Sequence, residues 1–179
     1  MDYTFLTGLI GSLVVVTGAA WPEKKGEHLP TKSTKNWLFA IGGFLMFLYS
    51  IFAWLEGGAI FFVFLETMVV VASIMMMIGK NDKIESLIII LLGLTFIIWS
   101  LYLFDSYNTV FFIIGLSGIG LGYVFDMGTL RRSVALTIGS ALIALFSYIE
   151  ASWIFFWLNT FFAIFSMYYV VLGLKQLKK

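Results

Sequence analysis

RRSVALTIGSALIALFSYIEASWIFFWLNTFFAIFSMYYVVLGLKQLKK, Arg131 to Lys179, is two apolar runs joined at Glu150–Ser152, with basic residues at both outer ends and one acid at the joint. Ser133–Ile149 and Trp153–Leu172 can each cross a bilayer core about 30 Å thick as a helix. So short a joint makes them a hairpin, and the two basic ends then share a side. Working outward, the same reading places five more spans at Thr4–Ala20, Asn36–Trp54, Ala59–Ile78, Ile84–Phe104 and Thr109–Phe125. With seven spans, all eleven Lys and Arg fall on one side: Lys24, Lys25, Lys32 and Lys35, then Lys80 and Lys83, then Arg131 and Arg132, then Lys175, Lys178 and Lys179. The positive-inside rule makes that side cytoplasmic, so the C-terminus is expected inside and the N-terminus, with Asp2, outside. The external loops keep only Glu56, Asp105 and Glu150.

Composition agrees with an all-α polytopic membrane protein: 61% hydrophobic and 12% charged residues over 179 positions cannot cover a soluble globule. Loops as short as Leu55–Gly58 leave no room for a soluble domain, so residues 1–179 read as one membrane domain, with a prokaryotic plasma membrane as its expected location. A net charge of +1 gives no sign of a nucleic-acid partner. Cysteine is absent and the only histidine, His28, lies in a polar loop beside Glu27, so no metal site, iron–sulfur cluster, bis-histidine haem or other cofactor is expected. The first span ends in Gly18, Ala19 and Ala20 like a signal peptide, but it lacks a basic leader and is expected to be retained.

The chain repeats internally. Gly8, Leu9 and Gly11 match Gly115, Leu116 and Gly118 at an offset of 107. Ile41, Gly42, Leu45, Leu48 and Ser50 match Ile138, Gly139, Leu142, Leu145 and Ser147 at 97, and Phe62, Leu65, Thr67 and Ser73 match Phe155, Leu158, Thr160 and Ser166 at 93. The offset changes between these blocks, where loops tolerate insertion. Three spans invert the chain, so a second copy points the same way only if one more crossing intervenes. The expected arrangement is therefore three plus one plus three: a first repeat over 4–78, a linking helix over 84–104 and a second repeat over 109–173, related by an axis along the membrane normal. Substrate sites in such folds lie between the repeats near mid-membrane.

Of the ten acidic residues only Glu66 lies inside a span, roughly 10 Å from its outer end. A carboxylate there is unfavourable by a few kcal/mol, so it should face the bundle interior, either protonated or partnered. No intramembrane Lys or Arg can pair with it. Three roles stay open: a structural acid bonded to a neighbouring Ser or Thr, a proton carrier, or a counter-charge for a cationic ligand. The repeat matches Glu66 with Asn159, two polar groups expected to face each other across the axis. Seven residues on, Ser73 and Ser166 also correspond, and a separation of seven returns to the same helical face. These matched stripes suit a water-accessible path, although small hydroxyls also serve ordinary helix packing in membranes.

Trp37, Trp54 and Trp153 lie at span ends, where interfacial anchoring explains them. Trp157, two residues before Asn159, and Trp99 on the linking helix could instead stack on a flat or cationic solute. A retinal pump is excluded because the last span has no lysine before Lys175. No Walker motif, nucleophile elbow or His–carboxylate cluster supports an enzyme.

IGSALIALFSYIEASWIFFWLNTFFAIFSMYYVVLG, Ile138–Gly173, with NWLFAIGGFLMFLYS, Asn36–Ser50, resembles the PnuC vitamin transporters and the related SWEET sugar transporters: a Gly- and Ser-rich span, a short external turn, then Leu-Asn followed by aromatics and Ser. The resemblance implies facilitated movement of nicotinamide riboside, thiamine or a similar small metabolite, with Asn159 as a ligand contact. Both prolines, Pro22 and Pro30, fall in the first loop, so no intramembrane proline serves as a hinge. The expectation is a transporter, facilitative or proton-linked, for a small polar or cationic solute bound by Glu66, Asn159, Ser73, Ser166, Trp157 and Trp99, with the lipid bilayer as partner and homo-oligomerisation open. The competing expectations are a non-transporting membrane subunit or scaffold of a larger complex, and an ion or lipid channel.

Overall fold

A computed structural model describes residues 3–21, 31, 33–78, 82–126 and 128–177. Asp2, Pro22, Lys24, Lys25, Glu27, His28, Pro30, Lys32, Lys80, Lys178 and Lys179 lie outside the described residues. Seven helices follow in order: α1 Tyr3–Ala20, α2 Thr34–Leu55, α3 Phe61–Ile78, α4 Asp82–Tyr102, α5 Asn108–Val124, α6 Leu130–Ile149 and α7 Trp153–Leu177. Each falls on one of the apolar runs, because in hydrocarbon a backbone can satisfy its own N–H and C=O groups only by coiling. Six are long and apolar enough to cross a membrane, while α5, with 17 residues, is apolar but shorter. Exposed apolar side chains run along α1 (Leu6, Ile10, Leu13) and α4 (Leu87, Leu91, Leu94, Ile98), as bilayer contact requires.

The chain divides into two compact units, Met1–Glu85 and Ser86–Lys179. In the first, α2 is the middle helix, packed against α1 on one side and α3 on the other. A methyl added at Gly42 would sit 2.7 Å from Val15 Cγ2, 2.8 Å from Val15 N and 3.1 Å from Gly11 O, so α2 lies close against the backbone of α1 there. At the far end Thr4 Oγ1 donates to Glu56 Oε1 over 2.8 Å, tying the start of α1 to the end of α2. A methyl at Gly43 would lie 3.5 Å from Val69 Cγ1 and 3.9 Å from Val70 Cγ2, which sets α2 against α3 at that level.

In the second unit α6 is the middle helix, between α5 and α7. Here a methyl at Gly139 would lie 2.6 Å from Ile119 N and 2.8 Å from Gly115 O. Leu130 lies against Gly173 at one end of the α6–α7 pair, and the Tyr148 ring lies 5.9 Å from Trp153 and 5.7 Å from Phe156 at the other.

Both middle helices begin and end alike. Ser33 caps α2 by accepting from Asn36 N, and Thr129 caps α6 by accepting from Arg132 N. At the C-terminal ends Glu56 N donates to Phe52 O and Glu150 N to Phe146 O; the next residues, Gly57 and Ala151, take left-handed φ values of 96° and 52°. Gly58 N then reaches Ala53 O, and Ser152 N reaches Ser147 O, closing a Schellman-type turn in each unit. These caps correspond at an offset of 94, so α6 ends one turn earlier than an offset of 97 carried to the end of α2 would place it.

Candidate functional site

The four polar positions on α3 and α7 are all buried. Glu66 is 3% exposed and Ser73 1%, and Asn159 and Ser166 are 6% and 8%. On α3, Phe62, Leu65 and Met68 are buried along with Glu66. Two hydroxyls of unit 1 bond to their own helices: Ser50 donates to Phe47 O over 2.7 Å, and Thr67 to Val63 O over 2.7 Å. Ser73 Oγ makes no hydrogen bond among the described residues. None of the three donates to Glu66, so the role of a structural acid held by these hydroxyls finds no support among them.

On α7 the amide of Asn159 turns partly onto its own helix, Nδ2 donating to Phe155 O over 2.9 Å. One amide N–H and the side-chain carbonyl stay available for another partner. Thr160 and Ser147 also bond to their own helices, through Phe156 O and Ile143 O.

The level of these groups follows from the helix pairings. Gly43 faces Val69 and Val70, midway between Glu66 and Ser73 along α3. In the second unit, counting inward from Leu130–Gly173 and from Tyr148–Trp153 sets Ser140 level with Phe161 to Ala163, between Asn159 and Ser166. Ser140 is fully buried and its Oγ has no hydrogen-bond partner among the described residues. Sequence comparison of the halves misses it, because its counterpart at an offset of 97 is Gly43. The available signal is its spacing of seven from Ser147 on one face of α6.

Trp99 and Trp157 sit differently from the other four candidates: they are 50% and 54% exposed. Trp157 belongs to a row of rings along the outside of α7, with centroids 5.0 Å from Phe156 and 6.0 Å from Phe161.

At the end of the second unit where α6 stops, Thr109 Oγ1 donates to Asp105 Oδ1 over 3.0 Å. Burial, and then the nearby Asp105 carboxylate, hold the Glu150 carboxyl above its ordinary range. Among the described residues no group of three His, Cys, Asp or Glu is placed to hold a metal ion.

No protein-family model, curated protein or solved structure matches this chain.

Proposed function

We propose that the protein is a seven-span membrane carrier of three-plus-one-plus-three design, with its C-terminus cytoplasmic, which moves a small polar or cationic metabolite past Glu66 and Asn159. The observation that carries this reading is the burial of unlike polar groups at corresponding positions: an acid on α3 and an amide on α7, each followed two turns later by a buried serine. A bundle held together by packing alone has no use for a buried carboxyl group, since apolar side chains fill the same volume without the desolvation cost.

The packing within each unit supports the duplication. Gly42 meets Gly11 and Val15, and Gly139 meets Gly115 and Ile119, an offset of 97 in the middle helix and 104 in the first. Residue letters alone align the first helix at 107, one helical turn away. Tight backbone approach is the better guide, because only glycine fills those places, whereas Leu and Ile recur by composition. The described cations Lys35, Lys83, Arg131, Arg132 and Lys175 at helix ends, opposite Glu56, Asp105 and Glu150 in an alternating topology, support the orientation. Counting α5 as a span completes that alternation, and 17 residues lie at the short end of what spans. The likeness of Ile138–Gly173 to PnuC carriers makes thiamine and nicotinamide riboside the first solutes to try.

The experiment is uptake of radiolabelled thiamine and nicotinamide riboside by proteoliposomes holding wild type or Glu66→Asn. Wild type should exceed protein-free vesicles, and the variant should lose about tenfold or more in rate, the scale of one charged hydrogen bond. Wild-type vesicles no better than empty ones would reject a carrier for these solutes. Full activity in the variant would remove Glu66 from the mechanism.

A further inference from the structure

We infer that Ser140, together with Asn159 and Ser166, forms a water-accessible hydrogen-bonding pocket inside the second unit that receives an uncharged, hydroxyl- or amide-bearing part of the solute. This rests on the carrier reading above and adds to it a residue and a chemical class.

Three observations lead here. Ser140 Oγ is fully buried and forms no hydrogen bond among the described residues, although serine in a helix can ordinarily return its proton to the carbonyl one turn back. Ser147, two turns further along α6, does so, donating to Ile143 O over 2.7 Å. Buried hydroxyls are nearly always satisfied, so one that is not marks a place where a partner from outside the chain belongs.

The second observation is level. The α6–α7 register sets Ser140 between Asn159 and Ser166 along the axis. Asn159 keeps one N–H and its carbonyl after bonding Phe155 O, so the three residues offer donors and acceptors together.

The third is the absence of charge. Arg131, Arg132 and Lys175 lie at helix ends, and Asp105 and Glu150 at the opposite ends of this unit. No ionisable side chain lies between them on α6 or α7 other than tyrosine, so the pocket would favour neutral hydrogen-bonding groups over ions. The corresponding position in the first unit is Gly43, which brings no hydroxyl.

The chain has no cysteine, so a single introduced thiol reports alone. The cysteine thiolate, which forms only where water reaches the sulfur, attacks the methanethiosulfonate, forming a mixed disulfide and releasing methanesulfinate. In proteoliposomes, S140C should react with 2-hydroxyethyl methanethiosulfonate about tenfold or more faster than I143C, a fully buried position on the α5-facing side of α6. After normalisation to a free thiol, S140C should also prefer this neutral reagent over the trimethylammonium one by about threefold or more. A smaller ratio in either comparison overturns the inference. If S140C does not give monodisperse protein, S166C is read against the same thresholds.

Uptake by wild-type vesicles separates the two claims. Fast labelling of S140C, with no uptake of thiamine or nicotinamide riboside by wild type, keeps the pocket and rejects a carrier for those solutes. Wild-type uptake with S140C no more reactive than I143C keeps the carrier and rejects the pocket.

Discussion

Gly139→Ala should destabilise the protein, although alanine is the better helix former. The added methyl would lie 2.6 Å from Ile119 N, 2.8 Å from Gly115 O and 2.9 Å from Gly118 C. All three are backbone atoms of α5, so no side chain can turn away and the helices themselves must part. Relieving the overlap takes most of an ångström, and a gap of that size forfeits a quarter to a half of each dispersion contact nearby. Overpacking costs about 1–3 kcal/mol, the upper end applying where backbone must move, against about 1 kcal/mol gained by replacing glycine in a helix. The net loss is about 1–2 kcal/mol, or a Tm lowered by about 2–8 °C for a chain of this size. Gly43→Ala is the control, since its methyl would meet Val69 Cγ1 at 3.5 Å and Val70 Cγ2 at 3.9 Å, ordinary packing distances. It should be neutral or stabilising by up to about 1 kcal/mol. Thermal unfolding of the two variants in one detergent decides the matter. A Gly139→Ala protein as stable as Gly43→Ala would refute the claim that α5 and α6 meet backbone to backbone.

Two other outcomes follow from the turns. Ala151 holds a left-handed φ of 52° where its counterpart is Gly57, so Ala151→Gly should raise stability by about 1 kcal/mol, and a lower Tm would show that the turn is not left-handed. Glu150 binds its proton more tightly in the folded chain than in the unfolded one, so stability should fall as pH rises from the ordinary carboxylate range through its raised pKa. Glu150→Gln should remove that slope and leave the variant the more stable protein at neutral pH, whereas parallel Tm profiles from pH 4 to 7 would rule out this source of the slope.

Helix positions are legible from hydropathy because lipid admits one backbone solution per apolar run; Asn36–Trp54 lies within α2, and Thr109–Phe125 differs from α5 by one residue at each end. What hydropathy does not carry is register. Gly8, Leu9 and Gly11 align with Gly115, Leu116 and Gly118 as letters, yet the packing pairs Gly11 with Gly115. A one-turn slip preserves most of an apolar pattern, and only the sites of closest approach distinguish the two. Ser140 is hidden for a related reason: comparing halves reveals what they share, and a hydroxyl opposite a glycine is a difference. The burial of Glu66 and Asn159 was readable because an acid or amide within an apolar run has few places to go.

The difference between those two residues also supplies the variant that separates charge from folding. Asn159 returns an N–H to Phe155 O four residues earlier, and the residue four before Glu66 is Phe62. An ionised carboxylate has only acceptors and cannot make that bond. Glu66→Asn can, so it replaces a buried acid without a donor among Ser50, Thr67 and Ser73 by an amide with a local partner. Satisfying a buried polar group is worth about 1–3 kcal/mol, so this variant should unfold at or above the wild-type Tm while losing uptake. That combination places the carboxyl group in the service of a solute or proton. A variant that loses stability and uptake together would make Glu66 a structural acid.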